Sequence, residues 1–437
     1  MRLTSSALPH KLRSLTRQAW RGARGFLLLI AATLLPPTID AALRRILVRS
    51  RLRRLSAQLA HHKACIEAIL RTAPSPRAVV LFLPGLDWRV PLFQRPQQMA
   101  RALARQGALV FYVQPPAFER EETIAEIETR LYLSAVPVEA FRELEGAWHY
   151  VLTWNARRFL PAFERARILY DYVDDIAAFY GNPAAMRQDH KRLLAQAQVV
   201  LATAQVLHEE ARRTRADALL VPNGVEYDHF ARAQHANRGE PPPDLALIVA
   251  RGRPIVGYHG ALARWFDYDL VGEVARRRPD LSFVLIGPDF DSTLRETALL
   301  GLPNVTWLGP RPYAELPDYL AWVDVGIIPF RPGAVTHSTS PIKLFEYMAA
   351  HIPIVISPMQ ESMRTPQAIV ADTPEAWGVA LDRAMERGRE PTFRAELDRV
   401  ARANTWVARA EQVLARLAEG PPRTPPPDAQ WSGNSHG

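Results

Sequence analysis

Residues 323–357 read VDVGIIPFRPGAVTHSTSPIKLFEYMAAHIPIVIS and carry the pattern that decides the fold. VDVGIIPF (323–330) and IPIVIS (352–357) are short apolar runs rich in β-branched residues, which indicates two buried strands. Between them, a loop of Gly, Ser and Thr is followed from Pro341 by apolar residues at helical spacing. A strand, a helix and a second strand at this spacing predict parallel pairing, and therefore an α/β protein.

The same alternation of strand and helix patterns continues through the chain. It forms two segments of roughly 160 residues, separated at 231–253 by a stretch rich in proline, glycine and charge. The predicted strands are 78–84, 108–113, 149–154, 166–172, 199–204 and 218–224 in the first segment, and 254–260, 281–287, 304–309, 323–330 and 352–357 in the second. The predicted helices include 94–107, 184–197, 268–278, 313–322, one from about 341, 374–387 and 392–418. We therefore expect two Rossmann-like, doubly wound domains that face each other across a ligand-binding cleft.

These patterns divide the chain into four parts. We predict a basic helical arm at 1–75, a first Rossmann-like domain at 76–235, a second one with closing helices at 236–419, and a disordered tail at 420–437. The single cysteine, Cys65, excludes an internal disulfide and a cysteine-based zinc site. That usage fits a reducing compartment.

The basic character of the chain lies in its N-terminal arm. Residues 1–72 hold 14 Lys and Arg against two Asp and Glu, whereas residues 73–437 hold 40 against 43. The apolar run at 26–35 is about half as long as the ~20 residues of a membrane-spanning helix. Leucine and isoleucine alternate with arginine at helical spacing over 43–55, which favours binding to an anionic membrane surface. A solvated arm packed on the body and a cleaved signal peptide are alternatives, and the arm has no nucleic-acid-reading motif.

The loop and helix at 331–350 have the features of an anion site. A helix that starts at the carboxyl edge of a sheet directs its free N–H groups and its positive dipole end into the cleft. Pro341 opens the helix, where its missing N–H costs nothing. Lys343 lies in the first turn, where a cation is unfavourable unless a bound phosphate compensates for it. Glu346 lies one turn further on and can accept hydrogen bonds from a ribose diol, so the pattern predicts a nucleotide.

The alternative is that Lys343 and Glu346 form a solvated ion pair on a surface helix. The chain contains 50 arginines and only four lysines. Because it uses arginine almost wherever a cation suffices, a lysine here indicates that a compact point charge is needed. This usage favours the phosphate site.

Several stretches together resemble GT-B glycosyltransferases of the retaining, family-four type. SPIKLFEYMAAHIPIVIS (340–357) is similar to their donor-nucleotide motif. The other matching stretches are WRVPLFQRPQQMARALARQGALVFYVQPP (88–116), YDYVDD (170–175), LLVPNGVEYDHF (219–230), VGYHGALARWFDYDLV (256–271) and FVLIGP (283–288). The resemblance covers about residues 78–390. Within this family, the chain is especially similar to bacterial members that build teichuronic-acid-like and other surface polysaccharides.

The resemblance implies a role for each matched residue. Lys343 would bind the diphosphate, Arg264 would be a second cation beside it, and Glu346 would bind the ribose hydroxyls. The other donor-binding residues would be Ser338, Thr339, Ser340, Pro341 and Gly260. Asp174 would orient the acceptor or the sugar for catalysis, and Trp88, Arg95, Asp175 and His337 would lie on the acceptor or sugar side.

The sequence departs from the family pattern at one position. The family has a second glutamate eight positions before Glu346, where this chain has Ser338, so the sugar-side carboxylate stays open. For at least one of Asp174 and Asp175 the alternative role is an N-cap. The tripeptides DYD (267–269) and DFD (289–291) match a metal–diphosphate motif of another glycosyltransferase fold, but they fall in loops of the GT-B pattern. We therefore expect no metal, and no cofactor besides the nucleotide-sugar substrate.

The sequence thus predicts a glycosyltransferase that moves a sugar from a nucleotide-sugar donor to a polysaccharide or lipid-linked acceptor. We expect it on the cytoplasmic face of the cell membrane, bound peripherally through residues 1–72, with no nucleic-acid partner. One alternative is a sugar-nucleotide epimerase or hydrolase of the same fold. Another is a non-catalytic scaffold of a polysaccharide assembly complex, which Ser338 suggests.

Overall fold

The computed structural model describes residues 57–90, 93–116, 121–176, 183–234 and 239–420. Most of the predicted basic arm and nearly all of the predicted tail lie outside these residues. A helix at 57–72 precedes the first domain. Within the described ranges, no helix is long and apolar enough to cross a membrane.

The first domain is built on an eight-stranded sheet with the order β3-β4-β2-β1-β5-β6-β7-β8. Every neighbouring pair is parallel except β3 and β4, which are antiparallel. Because helices cover both faces of a parallel sheet, the central strands are buried along nearly their whole length. The strands are β1 (Val79–Phe82), β2 (Leu109–Val113), β3 (Ile124–Glu128), β4 (Leu131–Ser134), β5 (Trp148–Val151), β6 (Arg167–Tyr172), β7 (Val199–Ala202) and β8 (Leu219–Leu220). The helices are α1 (Arg95–Arg105), α2 (Thr153–Phe159), α3 (Pro183–Gln196) and α4 (Gln205–Arg212), with 3-10 turns at Val138–Phe141 and Leu160–Ala162.

The second domain is built on a six-stranded, fully parallel sheet with the order β11-β10-β9-β12-β13-β14. Its strands are β9 (Ile255–His259), β10 (Ser282–Ile286), β11 (Val305–Gly309), β12 (Val325–Ile328), β13 (Ile354–Ile356) and β14 (Ala368–Val370). The helices that follow α4 are α5 (Tyr227–Ala231), α6 (Pro243–Val249), α7 (Tyr268–Arg277), α8 (Leu316–Leu320), α9 (Ala334–His337), α10 (Ile342–Ala349), α11 (Gln360–Met363), α12 (Pro374–Arg387), α13 (Pro391–Ala403) and α14 (Trp406–Ala418). Short 3-10 turns lie at Leu294–Glu296, Leu299–Gly301 and Tyr313–Glu315.

The order of the second sheet reverses between β9 and β12. Doubly wound sheets bind ligands in the crevice at this reversal, outside the carboxyl ends of the strands. β9 ends at His259 and β12 ends at Ile328, so the loops that follow these two strands border the same crevice. The topology therefore marks one place in the second domain for a ligand.

Within the described residues, the chain crosses between the two domains twice, and the two crossings are hydrogen-bonded to each other. The first crossing follows β8, and the second separates α13 from α14. The Val225 N–H donates to the Asn404 carbonyl at 3.0 Å, and the Trp406 N–H donates to the Val225 carbonyl at 3.1 Å. After the second crossing, α14 packs against α1, and Trp406 and Leu414 lie in the core of the first domain.

This arrangement corrects two expectations. The helix predicted at 392–418 is two helices, because α13 ends at Ala403 and the Thr405 side chain caps α14 by accepting a hydrogen bond from the Ala408 N–H at 3.1 Å. The second of these helices completes the first domain rather than closing the second. Three strands, β3, β4 and β14, were not predicted from the sequence. β3 is charged and largely exposed, and β14 has only three residues.

Candidate active site

Helix α10 is fixed to β9 by a buried tyrosine. The Tyr347 hydroxyl donates to the Gly257 carbonyl at 3.0 Å and accepts from the His259 N–H at 3.3 Å. The ring lies directly on β12, since a Cβ added at Gly326 would come within 2.8 Å of it. These contacts hold the first turns of α10 at the point where the strand order reverses.

Lys343 lies at this crevice and is half-buried. Its Nζ atom is 5.2 Å from the centre of the Tyr258 ring and 5.0 Å from that of Phe330. A Cβ added at Gly260, which has a φ of +133°, would come within 2.9 Å of the lysine Cε atom. Burial lowers the pKa of Lys343 to about 8, against the opposing effect of the Glu346 charge. Such a weakly solvated ammonium is suited to a phosphate, whose charge would compensate for the lost water.

Glu346 is buried and hydrogen-bonded to a histidine that the sequence reading did not assign. Its Oε2 atom is 2.6 Å from Nε2 of His259, and the two residues are 5% and 3% exposed. This excludes the alternative of a solvated Lys343–Glu346 pair on the surface. His259 fixes the carboxylate, and its own Nδ1 is buried with no hydrogen-bond partner in the described chain.

The loop between β12 and α10 is held by its own hydroxyls. Thr336 donates from its side chain to the Arg331 carbonyl at 2.7 Å and to the Gly333 carbonyl at 3.1 Å. Ser338 and Ser340 are buried, whereas Thr339 and His337 are half-buried. Pro341 occupies the N-cap position of α10, as expected for a residue that lacks the N–H. Ser340 and Pro341 directly precede the helix that carries Lys343, and Ser338 is the C-cap of α9.

The loop after β9 approaches Lys343 through Gly260. The Arg264 side chain, further along this loop, is exposed, and its backbone N–H donates to Asp291 at 3.0 Å. The structure therefore joins Gly260 with Lys343 directly, while the role of Arg264 as a second cation stays a prediction.

The two DxD tripeptides have local partners. Asp267 caps α7, Asp269 pairs with Arg331 at 2.8 Å, and Asp289 and Asp291 accept hydrogen bonds from backbone N–H groups of their own loop. In the ranges that the structure describes, no group of three or more His, Cys, Asp or Glu could hold a metal ion.

Asp174 and Asp175 follow β6 at the carboxyl edge of the first sheet, and both are half-buried. Burial raises the pKa of Asp174 to about 6, and the neighbouring Asp171 and Asp175 add to this while Arg95 opposes it. A carboxyl group with this pKa is still mainly ionised at neutral pH. Perturbed carboxyl groups of this kind occur at functional sites and in structural networks, so the catalytic role of Asp174 stays a prediction.

Arg95 and Trp88 both contact side chains of the first domain. The Arg95 guanidinium is 2% exposed and grips both carboxylate oxygens of Asp171, at 2.7 and 2.9 Å. These two hydrogen bonds anchor the guanidinium within the first domain. Trp88 is half-buried and packs edge-on against Tyr112, with 5.1 Å between ring centres. The placement of both residues on the acceptor or sugar side stays a prediction.

Residues 253–387, which run from β9 to the end of α12, match the sequence family described as Glycosyl transferases group 1. The matched region covers about a third of the chain. It contains Gly260, Lys343 and Glu346, and the predicted resemblance to GT-B glycosyltransferases is confirmed.

A longer stretch of the chain is similar to TuaH of Bacillus subtilis (strain 168), which is named as a teichuronic acid biosynthesis glycosyltransferase. The two are 28% identical over 235 residues, which is 51% of this chain and 57% of TuaH. The match thus spans little more than half of the relative's length.

Solved structures share the two-domain GT-B fold of this chain. Sucrose-phosphate synthase from Thermosynechococcus elongatus has a TM-score of 0.59 at 17% identity, over 78% of this chain and 98% of that one. Anabaena HepE in complex with UDP and glucose has a TM-score of 0.54 at 15% identity, over 78% and 99%. At these identities the likeness establishes the fold alone.

Proposed function

We propose that the protein transfers a sugar from a nucleoside diphosphate sugar to a hydroxyl group of a polysaccharide or lipid-linked acceptor. The observation that carries this proposal is that Lys343 and Glu346 lie on the same helix, α10, at the point where the strand order reverses. One is a half-buried ammonium beside Gly260, and the other is a buried carboxylate oriented by His259. A diphosphate and a ribose diol on the same nucleotide match these two groups at this spacing.

The proposed reaction places negative charge where the helix and Lys343 can stabilise it. The acceptor oxygen forms a bond to the anomeric carbon as the bond from that carbon to the diphosphate oxygen breaks. The electron pair of the broken bond leaves with the diphosphate, and the acceptor hydroxyl proton passes to the departing oxygen. Preorganised donors lower such a barrier because they need no reorganisation as the charge develops.

The finer assignments rest on the resemblance and on position. Ser338, Thr339, Ser340 and Gly260 would contact the diphosphate, and Asp174 would orient the acceptor. His337 would face the sugar, since its buried Nδ1 has no hydrogen-bond partner within the described residues. We propose retention of the anomeric configuration, as in the family-four type. The similarity to TuaH supports an acceptor in cell-surface polysaccharide synthesis.

The test of the proposed function is a thermal-shift panel of nucleoside diphosphate sugars. UDP-sugars come first, because HepE, which shares the fold, was solved with UDP. A ligand at 100 times its Kd adds about 2.7 kcal/mol to the free energy of unfolding, which gives a clear rise in Tm. We expect one base to stand out. If no member of the panel raises the Tm, the scaffold alternative replaces the transferase.

We further propose that residues 1–72 hold the protein on the cytoplasmic face of an anionic membrane. These residues contain 14 basic side chains and only two acidic ones, which supports this proposal. The full chain should co-sediment with vesicles containing phosphatidylglycerol and leave them at 1 M salt, where the Debye length falls to about 3 Å. Vesicles of phosphatidylcholine alone are the control, and equal binding to them would contradict the electrostatic attachment.

A further inference from the structure

A buried hydrogen-bond network joins the core of the first domain to the helix of the proposed donor site. We name it the crossover network and define it by Asp171, Arg95, Asn223 and the carbonyl group of Ser340. Its three side chains are 1%, 2% and 8% exposed. Asn223 lies in the first crossing between the domains, two residues before Val225, which pairs with the second crossing.

Arg95 is the fixed end of this network. Asp171 holds its Nε and Nη2 atoms at 2.7 and 2.9 Å, and the Tyr150 hydroxyl donates to the same carboxylate. The remaining guanidinium nitrogen, Nη1, points to the crossing and donates to the Pro222 carbonyl at 3.3 Å and to Oδ1 of Asn223 at 3.2 Å. Because the guanidinium group is planar, its two hydrogen bonds to Asp171 also fix the direction in which Nη1 donates.

Asn223 connects Arg95 of the first domain to Ser340 of the second domain through hydrogen bonds of its side-chain amide. Because its Oδ1 accepts from Arg95, its amide nitrogen is turned towards the second domain, where it donates to the Ser340 carbonyl at 2.6 Å. Ser340 directly precedes Pro341, the N-cap of α10, and Lys343 follows three residues later. Ile342, in the first turn of α10, packs against the core of the first domain.

We infer that Asn223, oriented by Arg95, is a positioning residue that fixes the first turn of α10, so that the placement of Lys343 depends on the first domain. The inference deepens the proposed function and rests on it for its consequence in catalysis. If the two domains separate, the hydrogen bond from Asn223 to Ser340 breaks, and the phosphate-binding turn loses one of its supports. Donor binding and domain closure are then coupled in part through the Asn223 amide.

The decisive variant is Asn223→Asp, which keeps the shape of the side chain and its acceptor towards Arg95. It removes the N–H that Ser340 accepts and places a carboxylate oxygen against a carbonyl oxygen. The matched control is Asn404→Asp in the second crossing. Asn404 also accepts from an arginine, Arg409, and donates to a carbonyl group, but that carbonyl belongs to Val400 in α13.

The first readout is hydrogen exchange of the full-length protein, measured on peptides covering residues 339–349. Asn223→Asp should speed exchange in the first turn of α10 by roughly two- to tenfold, the effect of one lost hydrogen bond. Asn404→Asp should leave this segment unchanged. Equal exchange of the two variants here, or no change in Asn223→Asp, would overturn the inference.

A second arm separates positioning from a general loss of stability. Arg95→Lys removes the planar fork without touching α10, so it should speed exchange in the same peptides. Combined with Asn223→Asp, it should add little, because both changes break one chain of contacts. Full additivity of the two effects would contradict a network that runs through Arg95. If Arg95→Lys does not fold, the comparison of hydrogen exchange between Asn223→Asp and Asn404→Asp is by itself sufficient to test the inference.

UDP affinity connects the network to the proposed function. Asn223→Asp should weaken UDP binding several-fold more than Asn404→Asp does, at a similar change in Tm. If the unchanged protein binds neither UDP nor the other nucleoside diphosphates, the proposed function fails, while the exchange experiment still decides the network. If UDP binds equally to both variants, α10 is not positioned by Asn223 for phosphate, and the inference falls while the function stands.

Discussion

Replacement of Lys343 by alanine is expected to lower kcat by about 10²–10³, the effect seen when one preorganised donor to a developing oxyanion is removed. The diphosphate is already charged in the bound donor, but further charge grows on the departing oxygen as the bond to the sugar breaks. Lys343 is half-buried beside Gly260, so its attraction to that charge is poorly screened by water. Only the part of this attraction gained in the transition state accelerates the reaction, so the donor KM should change less than kcat.

The matched control is Lys191→Ala. Lys191 lies exposed on α3, and its removal changes the net charge by the same amount. It should leave kcat and KM unchanged. Lys343→Arg should restore activity only in part, because Tyr258, Phe330 and Gly260 enclose the ammonium closely and a planar fork is larger. Normal turnover of Lys343→Ala, measured by steady-state kinetics, would remove the main residue from the mechanism.

The pH dependence of nucleotide binding supplies an independent check on Lys343. Burial lowers its pKa to about 8 in the free protein, so the side chain is charged below pH 8 and loses its proton as the pH rises past that value. Affinity for UDP should therefore weaken above pH 8. An ordinary lysine would keep its charge to about pH 10. In Lys343→Ala this dependence should be absent.

The sequence was sufficient to predict helix α10 and the spacing of its two charged residues, because these features are local. The spacing of Lys343 and Glu346 follows from helix geometry, and the position of the helix follows from the strands on either side. The parallel strands were found for the same reason, since each is a short apolar run bounded by turn residues. β3 was missed because its charged, exposed residues lack that pattern.

The contacts that complete the site could not be read from the sequence. His259 is 87 positions from Glu346, and Arg95 is 76 positions from Asp171 and 128 from Asn223. No periodicity links residues at such separations, and only the order of the strands brings them together. The one available signal is that His259 is a polar residue at the end of the apolar run IVGYH, where the chain reaches the carboxyl edge of the sheet.

Replacement of Glu346 by glutamine is expected to weaken donor binding by about 1.5–3 kcal/mol, the usual contribution of a hydrogen bond to a charged group. This corresponds to roughly 10- to 100-fold in Kd. Glutamine keeps the shape of the side chain, but it removes the negative charge that would accept both ribose hydroxyls. Because Glu346 is buried and bonded to His259, part of any effect could come from structure and not from the ligand.

The ligand itself provides the control that separates these two origins. A deoxyribose form of the same nucleotide lacks one of the hydroxyls that Glu346 is proposed to bind, whereas a structural defect in the protein would weaken both forms equally. The unchanged protein should therefore prefer the ribose form clearly, and Glu346→Gln should bind the two forms almost alike when Kd values are measured by calorimetry. A variant that weakens both forms by the same factor and keeps the ribose preference would show that Glu346 only supports the fold around His259. The ribose diol would then have to be bound by another residue at the reversal between β9 and β12.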